Sequence, residues 1–194
     1  KACPDVLLKV NASQMDWEYD PALADLGIIC TTAPDRPGRR YTPLFEADLV
    51  LVCSPGLVDG PVPLTSPRDL GRHHRLIVHP ANEDWTTWAG AAGIAGIVPA
   101  SSASFDSYLL VIEAAAEGRG VAVVPHFLAS ADLKAGRLIQ PFSIAARQPA
   151  RWYLVCREAE ADEPAIARFR AWLLDQIATD PVLAGGIARV RRRG

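Results

Sequence analysis

The stretch SFDSYLLVIEAAAEGRGVAVVP, residues 104–125, decides the fold of this chain. Ser104 or Asp106 is suited to cap a helix here, because a short side-chain oxygen accepts backbone N–H groups that lack partners in the first turn. Gly118 supplies the left-handed residue that ends many helices. The apolar residues that follow, up to Pro125, are typical of a strand buried in an α/β sheet. A polar helix start beside the end of a buried strand is an arrangement that binds small polar or anionic ligands.

The helix predicted over Ser107–Glu117 is apolar almost all round. Only Glu113 and Glu117 are charged within it. Such a helix is usually buried on two sides. One side would cover the sheet, and the other would contact either the core of the same chain or another subunit. The sequence leaves both possibilities open.

Composition places the chain among ordinary globular proteins. Its 194 residues are 49% hydrophobic and 22% charged, with a formal net charge of −2. This charge gives no general electrostatic reason to bind nucleic acid. No apolar run approaches the roughly 20 residues that a membrane span requires. Cys3, Cys30, Cys53 and Cys156 are scattered singly, so we predict free thiols, no disulfides and a reducing cytoplasm.

The signatures of enzymes and cofactor sites are missing. There is no Gly-x-Ser-x-Gly elbow and no glycine-rich phosphate loop. His73, His74, His79 and Cys53 match no metal-ligand spacing. We therefore predict neither an enzyme nor a cofactor or metal site.

Other segments predict an alternation of strands and helices. We expect strands at Val6–Val10, Gly27–Cys30, Leu49–Cys53, Leu76–Val78, Val98–Ala103 and Arg151–Cys156. Further helices are expected from Trp85 to about Ala92 with Asp84 as cap, over Phe127–Ala135, and from Pro164 with one apolar face. Ala33–Pro43 is expected to be a loop, and the arginines of 189–193 a solvated tail.

Several motifs, in this order and spacing, resemble one family. They are Ala24–Ile28 (ADLGI), Leu44–Pro55 (LFEADLVLVCSP), Asp69-Leu70, Asp84-Trp85, Phe105–Ser107 (FDS) and Gly118–Ala122 (GRGVA). Together they resemble the effector-binding domain of LysR-type transcriptional regulators, over about Pro4 to Gln176. The Val-Cys-Ser-Pro run and the Asp-Ser before the helix are most similar to the branch that contains the glycine-cleavage activator and the β-lactamase regulator.

The resemblance implies an α/β fold like that of type 2 periplasmic binding proteins, with two Rossmann-like lobes joined by two crossover strands. The first lobe would comprise 1–47 and 151–194, and the second 48–150. We expect one sheet in each lobe. Compared with the family, a first strand and helix upstream of Pro4 are missing from this sequence, as is the DNA-binding winged helix-turn-helix domain.

The resemblance also implies which residues line an effector cleft between the lobes. The predicted effector-binding residues are Ser13, Thr31, Thr32, Val78, His79, Phe105, Asp106, Ser107, Pro125 and Trp152. Hydroxyls and backbone amides at the ends of elements can hold a small polar ligand. Four of the ten have plainer explanations: Ser13 as a turn residue, Asp106 as a helix cap, His79 as a surface histidine and Trp152 as crossover core.

The predicted function is that of a ligand-sensing regulatory domain. Its partners would be a small polar or anionic effector, further copies of the chain in a dimer or tetramer, and DNA only through a domain outside this sequence, with no membrane partner. The alternative is a free-standing solute-binding protein of the same fold. Neither the effector nor the target genes can be read from the sequence.

Overall fold

The computed structural model of the chain describes residues 9–10 and 18–183. Its strands are β1 (Leu26–Thr31), β2 (Arg39–Val52), β3 (His74–Val78), β4 (Ser101–Phe105), β5 (Val121–Pro125) and β6 (Ala145–Arg157). Its helices are α1 (Pro55–Val58), α2 (Glu83–Ala91), α3 (Tyr108–Ala116), α4 (His126–Ala135) and α5 (Pro164–Thr179), with short 3-10 helices at Pro67–Arg72 and Glu158–Glu160. Most of the predicted strand Val6–Val10, Ser13 and the tail 189–193 lie outside the described residues.

The six strands form one mixed sheet in the order β1-β6-β2-β5-β3-β4. β3 is parallel to β4 and β5, whereas β2 and β5, like β1 and β6, are antiparallel. The expectation of a separate sheet in each lobe is wrong. The reason is that β2 and β6, with 14 and 13 residues, are long enough to lie side by side in the middle of the strand order, where β6 also pairs with β1 and β2 with β5.

The chain divides into two compact units. The first contains the described residues up to Phe45 and from Pro149 onward, and the second is Glu46–Gln148. The chain therefore passes between the units twice, once within β2 and once within β6.

The second unit has its main core on one face of the sheet. Trp85 and Trp88 of α2 are 5% and 0% exposed, and they pack with Leu49 and Leu51 of β2 and with alternate residues of β5. Each indole has a polar partner, because Trp85 Nε1 donates to the Leu76 carbonyl at 3.0 Å and Trp88 Nε1 to the Ile144 carbonyl at 3.2 Å. Both tryptophans are therefore core residues.

The other face of the same sheet is covered by α3 and α4. α3 contacts β3, β4, β5 and α4. Its buried residues, Tyr108, Val111, Ile112 and Ala115, do not belong to the tryptophan cluster. All five residues of β5 are buried, as expected for a strand covered on both faces.

The first unit is built on β1 and β6, which pair from Leu26↔Cys156 to Thr31↔Arg151. Cys156 and Ile166 form a small buried cluster with Ala161, against which Leu26 packs. Along α5 only Ile166 is buried, so the predicted apolar face of this helix is only partly covered within the described part of the chain.

Three local predictions differ from the structure. Residues 39–43, expected in a loop, belong to β2, where Tyr41 packs edge-on against Tyr153 of β6 at 6.0 Å between ring centroids. The predicted strand Val98–Ala103 lies a few residues later, as β4 (Ser101–Phe105), in parallel register with β3. Asp84 does not cap α2. Asn82 occupies the cap position, and Asp84 lies inside the helix and is buried.

Candidate effector-binding site

The carboxyl ends of three parallel strands meet at one edge of the second unit. β3 ends at Val78, which pairs with Phe105 at the end of β4, and β5 ends at Pro125. Parallel strands present their carboxyl ends on the same side, so the segments that follow them lie together. In α/β sheets, ligands bind at this side, where successive connections depart to opposite faces.

The connections in the second unit depart in this way. β3 leads to α2, which packs on the face of the tryptophan core. β4 leads to α3 and β5 to α4, and both helices lie on the opposite face. At such an edge, polar groups from the segments that follow different strands can contact one ligand.

The segment after β3 is held against the end of β4. The His79 amide donates to the Phe105 carbonyl at 2.7 Å, and the peptide bond that follows, His79-Pro80, is cis. The residue itself is exposed. His79 therefore lies at the predicted edge with its side chain accessible.

Ser107 caps the start of α3. Its backbone is extended, with φ −139° and ψ 134°, and its Oγ accepts a hydrogen bond from the Leu109 amide at 3.2 Å. The prediction that Ser104 or Asp106 caps this helix is wrong, since Ser104 lies within β4 and Asp106 precedes the cap. Asp106 is exposed beside the first turn of α3, where a carboxylate is favoured by the positive end of the helix dipole.

A buried polar cluster lies directly behind this first turn. The Tyr108 hydroxyl donates to Asp84 Oδ2 at 2.5 Å, and Gln148 Nε2 lies 3.5 Å from Asp84 Oδ1. The three residues are 7%, 3% and 6% exposed. Burial raises the pKa of Asp84 to about 6, although the hydrogen bonds from Tyr108 and Gln148 act in the opposite direction.

The first unit holds three of the predicted residues. Thr31 ends β1, and its Oγ1 accepts a hydrogen bond from the Ala33 amide at 3.1 Å. Thr32 follows and is exposed. Trp152 of β6 is stacked on Phe45, with ring centroids 6.0 Å apart and an interplanar angle of 16°. Trp152 is only half-buried in this arrangement.

The predicted residues thus fall into two groups. The second unit brings together Val78, His79, Phe105, Asp106, Ser107 and Pro125, whereas Thr31, Thr32 and Trp152 belong to the first unit and Ser13 lies outside the described residues. Val78 and Pro125 are buried, so at this edge they offer mainly backbone groups. The role of each residue toward an effector remains a prediction.

Sequence reasoning missed Tyr108, Asp84 and Gln148. Tyr108 follows a predicted site residue directly, but nothing local indicates its partner. Asp84 and Gln148 are 24 and 64 residues away from the groups they face, and only the folded chain brings them together.

No group of three or more potential metal ligands occurs in residues 9–10 and 18–183. Cys53 is a fully buried free thiol, and burial raises its pKa to about 11. A thiol of this kind is a packing residue and not a nucleophile.

A comparison with protein families matches residues 4–178 to the LysR substrate binding domain. The chain belongs to this family. The LysR domain has the fold of effector-binding domains of the type 2 periplasmic-binding-protein kind, as the resemblance implied.

Relatives of this LysR domain place it in the predicted branch. It is 35% identical over 181 residues to the glycine cleavage system transcriptional activator of Escherichia coli K12, covering 92% of this chain and 58% of that protein. It is 33% identical over 144 residues to the transcriptional activator AmpR of Pseudomonas aeruginosa, covering 74% of this chain and 47% of AmpR. The X-ray structure of the AmpR effector domain from P. aeruginosa superposes with a TM-score of 0.79 at 27% identity, covering 100% of this chain and 88% of that one.

These relatives are transcriptional regulators and not enzymes. The LysR domain spans only part of their length. Within its described residues, no helix is both long and apolar enough to cross a lipid bilayer.

Proposed function

We propose that this LysR domain is the effector sensor of a transcriptional regulator and binds a small polar or anionic molecule. The observation that carries the proposal is the start of α3, capped by Ser107, at the edge where β3, β4 and β5 end. A helix start presents backbone N–H groups and a positive partial charge to a ligand. The position of the effector between two lobes follows from the family resemblance alone.

The relatives favour a sensor over a free-standing solute-binding protein, because they are regulators of transcription. An effector that binds one arrangement of the domain more tightly than another shifts their populations. DNA would be contacted by a domain outside this chain, and the protein would act in the cytoplasm as a homodimer or tetramer. These partners are part of the proposal.

A thermal-shift screen of the purified chain tests the sensor function. The screen includes carboxylates, amino acids and cell-wall fragments, the classes that suit a polar site. A ligand present at about 100 times its Kd should stabilise the domain by roughly 2.7 kcal/mol. The absence of any stabilising compound in these three classes would contradict the proposal.

Variants then locate the site by calorimetric titration well below the melting temperature. Ser107→Ala removes the cap and Thr31→Val removes a hydroxyl, so both should weaken binding of the ligand found. Ser107→Thr retains a capping hydroxyl and should bind nearly as the wild type does. Ser102→Ala, at an exposed position of β4, is the control. If Ser107→Ala and Thr31→Val both leave the affinity unchanged, the effector binds elsewhere.

A further inference from the structure

Asp84, Tyr108 and Gln148 join three elements behind the start of α3. Asp84 lies on α2, Tyr108 is the first residue of α3, and Gln148 lies on β6 as the last residue of the second unit. Among the described residues, the buried polar or charged side chains are His73, Asp84 and Gln148, so two of the three belong to this cluster.

Burying a carboxyl group at this position costs free energy of desolvation. Removing a carboxylate from water costs free energy that an apolar residue of similar size would not cost. Unlike an apolar residue, Asp84 can orient two other elements, because one of its oxygens faces Tyr108 of α3 and the other faces Gln148 of β6. The hydrogen bond from Tyr108 fixes the residue directly after the cap Ser107, and with it the first turn of α3.

We propose that Asp84 is a positioning residue, which holds the first turn of α3 through Tyr108 and ties it to Gln148 on the strand that leaves the second unit. As far as this turn binds the effector, the inference rests on the proposed function. Asp84 itself does not contact the ligand. It sets the orientation of the backbone amides that do.

The strength of the hydrogen bond between Tyr108 and Asp84 depends on whether Asp84 is ionised. Glu83 on its own helix and Tyr108 on α3 are the titratable groups that act on the carboxyl, and Gln148 on β6 is its neutral partner. An ionised carboxylate accepts a stronger hydrogen bond from a tyrosine than a protonated one does. The Tyr108–Asp84 hydrogen bond, and with it the fixation of the first turn of α3, should therefore become stronger as pH rises through about 6, the value to which burial raises the pKa of Asp84.

Tyrosine Cζ resonances of the labelled chain report this hydrogen bond directly. In the wild type, the Tyr108 resonance should move with pH, with a midpoint near 6. In Asp84→Asn, which retains an oxygen acceptor of the same size, it should not move in this range. Tyr153, in the first unit, is the internal control. A Tyr108 resonance that titrates equally in Asp84→Asn overturns the inference.

Amide hydrogen exchange tests whether the Tyr108–Asp84 hydrogen bond fixes the first turn of α3. The Leu109 and Val111 amides are bonded to the Ser107 hydroxyl and carbonyl. Tyr108→Phe should raise their exchange rates about tenfold, since one hydrogen bond to a charged group is lost. The amides of α4 should change much less, and Tyr153→Phe should leave α3 unaffected. Equal acceleration throughout the second unit would show that Tyr108 serves only general stability, and would overturn the proposal.

Sulfate, which keeps its charge over this pH range, separates the inference from the proposed function. In the wild type it should shift the amide resonances of Tyr108–Leu110, and Tyr108→Phe should raise its Kd severalfold. If sulfate leaves these resonances unshifted in the wild type, anion binding at α3 is refuted, whereas the tyrosine and exchange results still decide the role of Asp84. If sulfate binds equally well to Tyr108→Phe, the positioning role is refuted and the site stands.

Discussion

Gly120 lies directly against the backbone of His74. A Cβ atom at position 120 would be 3.1 Å from the His74 carbonyl carbon and still closer to its oxygen. The contact brings the start of β5 close to the start of β3, two neighbouring parallel strands. Glycine is needed here for space, because only a residue without a side chain permits this approach.

Gly120→Ala should therefore lower the free energy of unfolding by about 1–3 kcal/mol, the usual cost of forcing extra atoms into a packed site. The backbone of β3 or β5 would have to shift, since no flexible side chain is there to yield. Urea unfolding followed by circular dichroism measures the change.

Gly90→Ala is the matched control. Gly90 lies within α2, where an added Cβ would meet nothing within 4 Å. Alanine should stabilise the helix here by about 0.5–1 kcal/mol. If the two substitutions have effects of the same sign, the close approach at Gly120 is not what limits that position.

Asp84 makes the stability of the domain dependent on pH. Burial raises its pKa from 3.8 to about 6, so between these values the folded chain keeps a proton that the unfolded chain releases. The free energy of unfolding should fall as pH rises through this window and change no further above it. Relative to Asp84→Asn, the wild type should lose on the order of 3 kcal/mol between about pH 4 and pH 7.

Tyr108→Phe tests the same pH dependence through the direction in which the pKa of Asp84 should change. The Tyr108 hydrogen bond lowers the pKa of Asp84, so its removal should raise this pKa and extend the pH-dependent window upward. Chemical denaturation at a series of pH values yields all three curves. A wild type and Asp84→Asn with parallel pH profiles would contradict the assignment of the proton to Asp84.

Cys53 should resist alkylation in the folded chain. It is fully buried directly after β2, and burial raises the pKa of its thiol from 9.0 to about 11. Two pKa units correspond to about a hundredfold less thiolate at neutral pH, and the thiolate is the reactive form. Iodoacetamide labelling with peptide mass spectrometry should show Cys53 reacting only when the domain unfolds, and Cys30, which is half-buried, reacting faster. Equal labelling rates at Cys53 and Cys30 under native conditions would contradict this burial.

The outward side of α3 is the expected subunit contact. Leu109 and Leu110 are 68% and 51% exposed, whereas Ile112 is 4% exposed and faces the core. If the chain forms the dimer that the family resemblance implies, Leu109→Asp should weaken it by placing a charge in an apolar contact. Sedimentation at several concentrations measures the association.

Val98→Asp controls for charge alone, because Val98 is 79% exposed in the same unit but outside α3. It should leave the association unchanged. A wild type that remains monomeric at high concentration would remove the reason to assign a partner to this side of α3.

Short-range signals in the sequence predict much of the second unit. The end of α3 before Gly118 and of α4 at Gly136 was predictable, and both glycines have the left-handed backbone, with φ of 77° and 73°. The buried strand up to Pro125 was equally plain from its apolar run. Such features depend on residues a few positions apart, whose backbone preferences and hydrogen bonds are local.

The expected function, an effector sensor, came from the family resemblance and not from these local signals. Order and spacing of motifs indicated the LysR domain, although each motif alone was weak. The same motifs implied which strand ends would lie together in the second unit, since parallel strands joined by helices bring their carboxyl ends to one edge.

By itself, then, the sequence determined the α/β pattern, the ends of α3 and α4, and membership of the family. Tertiary structure alone decided three further points: the length of β2 and β6, which join all strands in one sheet, the burial of Asp84 against Tyr108 and Gln148, and the side of α3 that is left exposed. Strand length depends on a partner strand far away in the chain, and the pKa of a carboxyl group depends on what surrounds it after folding. Neither quantity is encoded by neighbours in sequence, because both are set by contacts between residues that only the folded chain brings together.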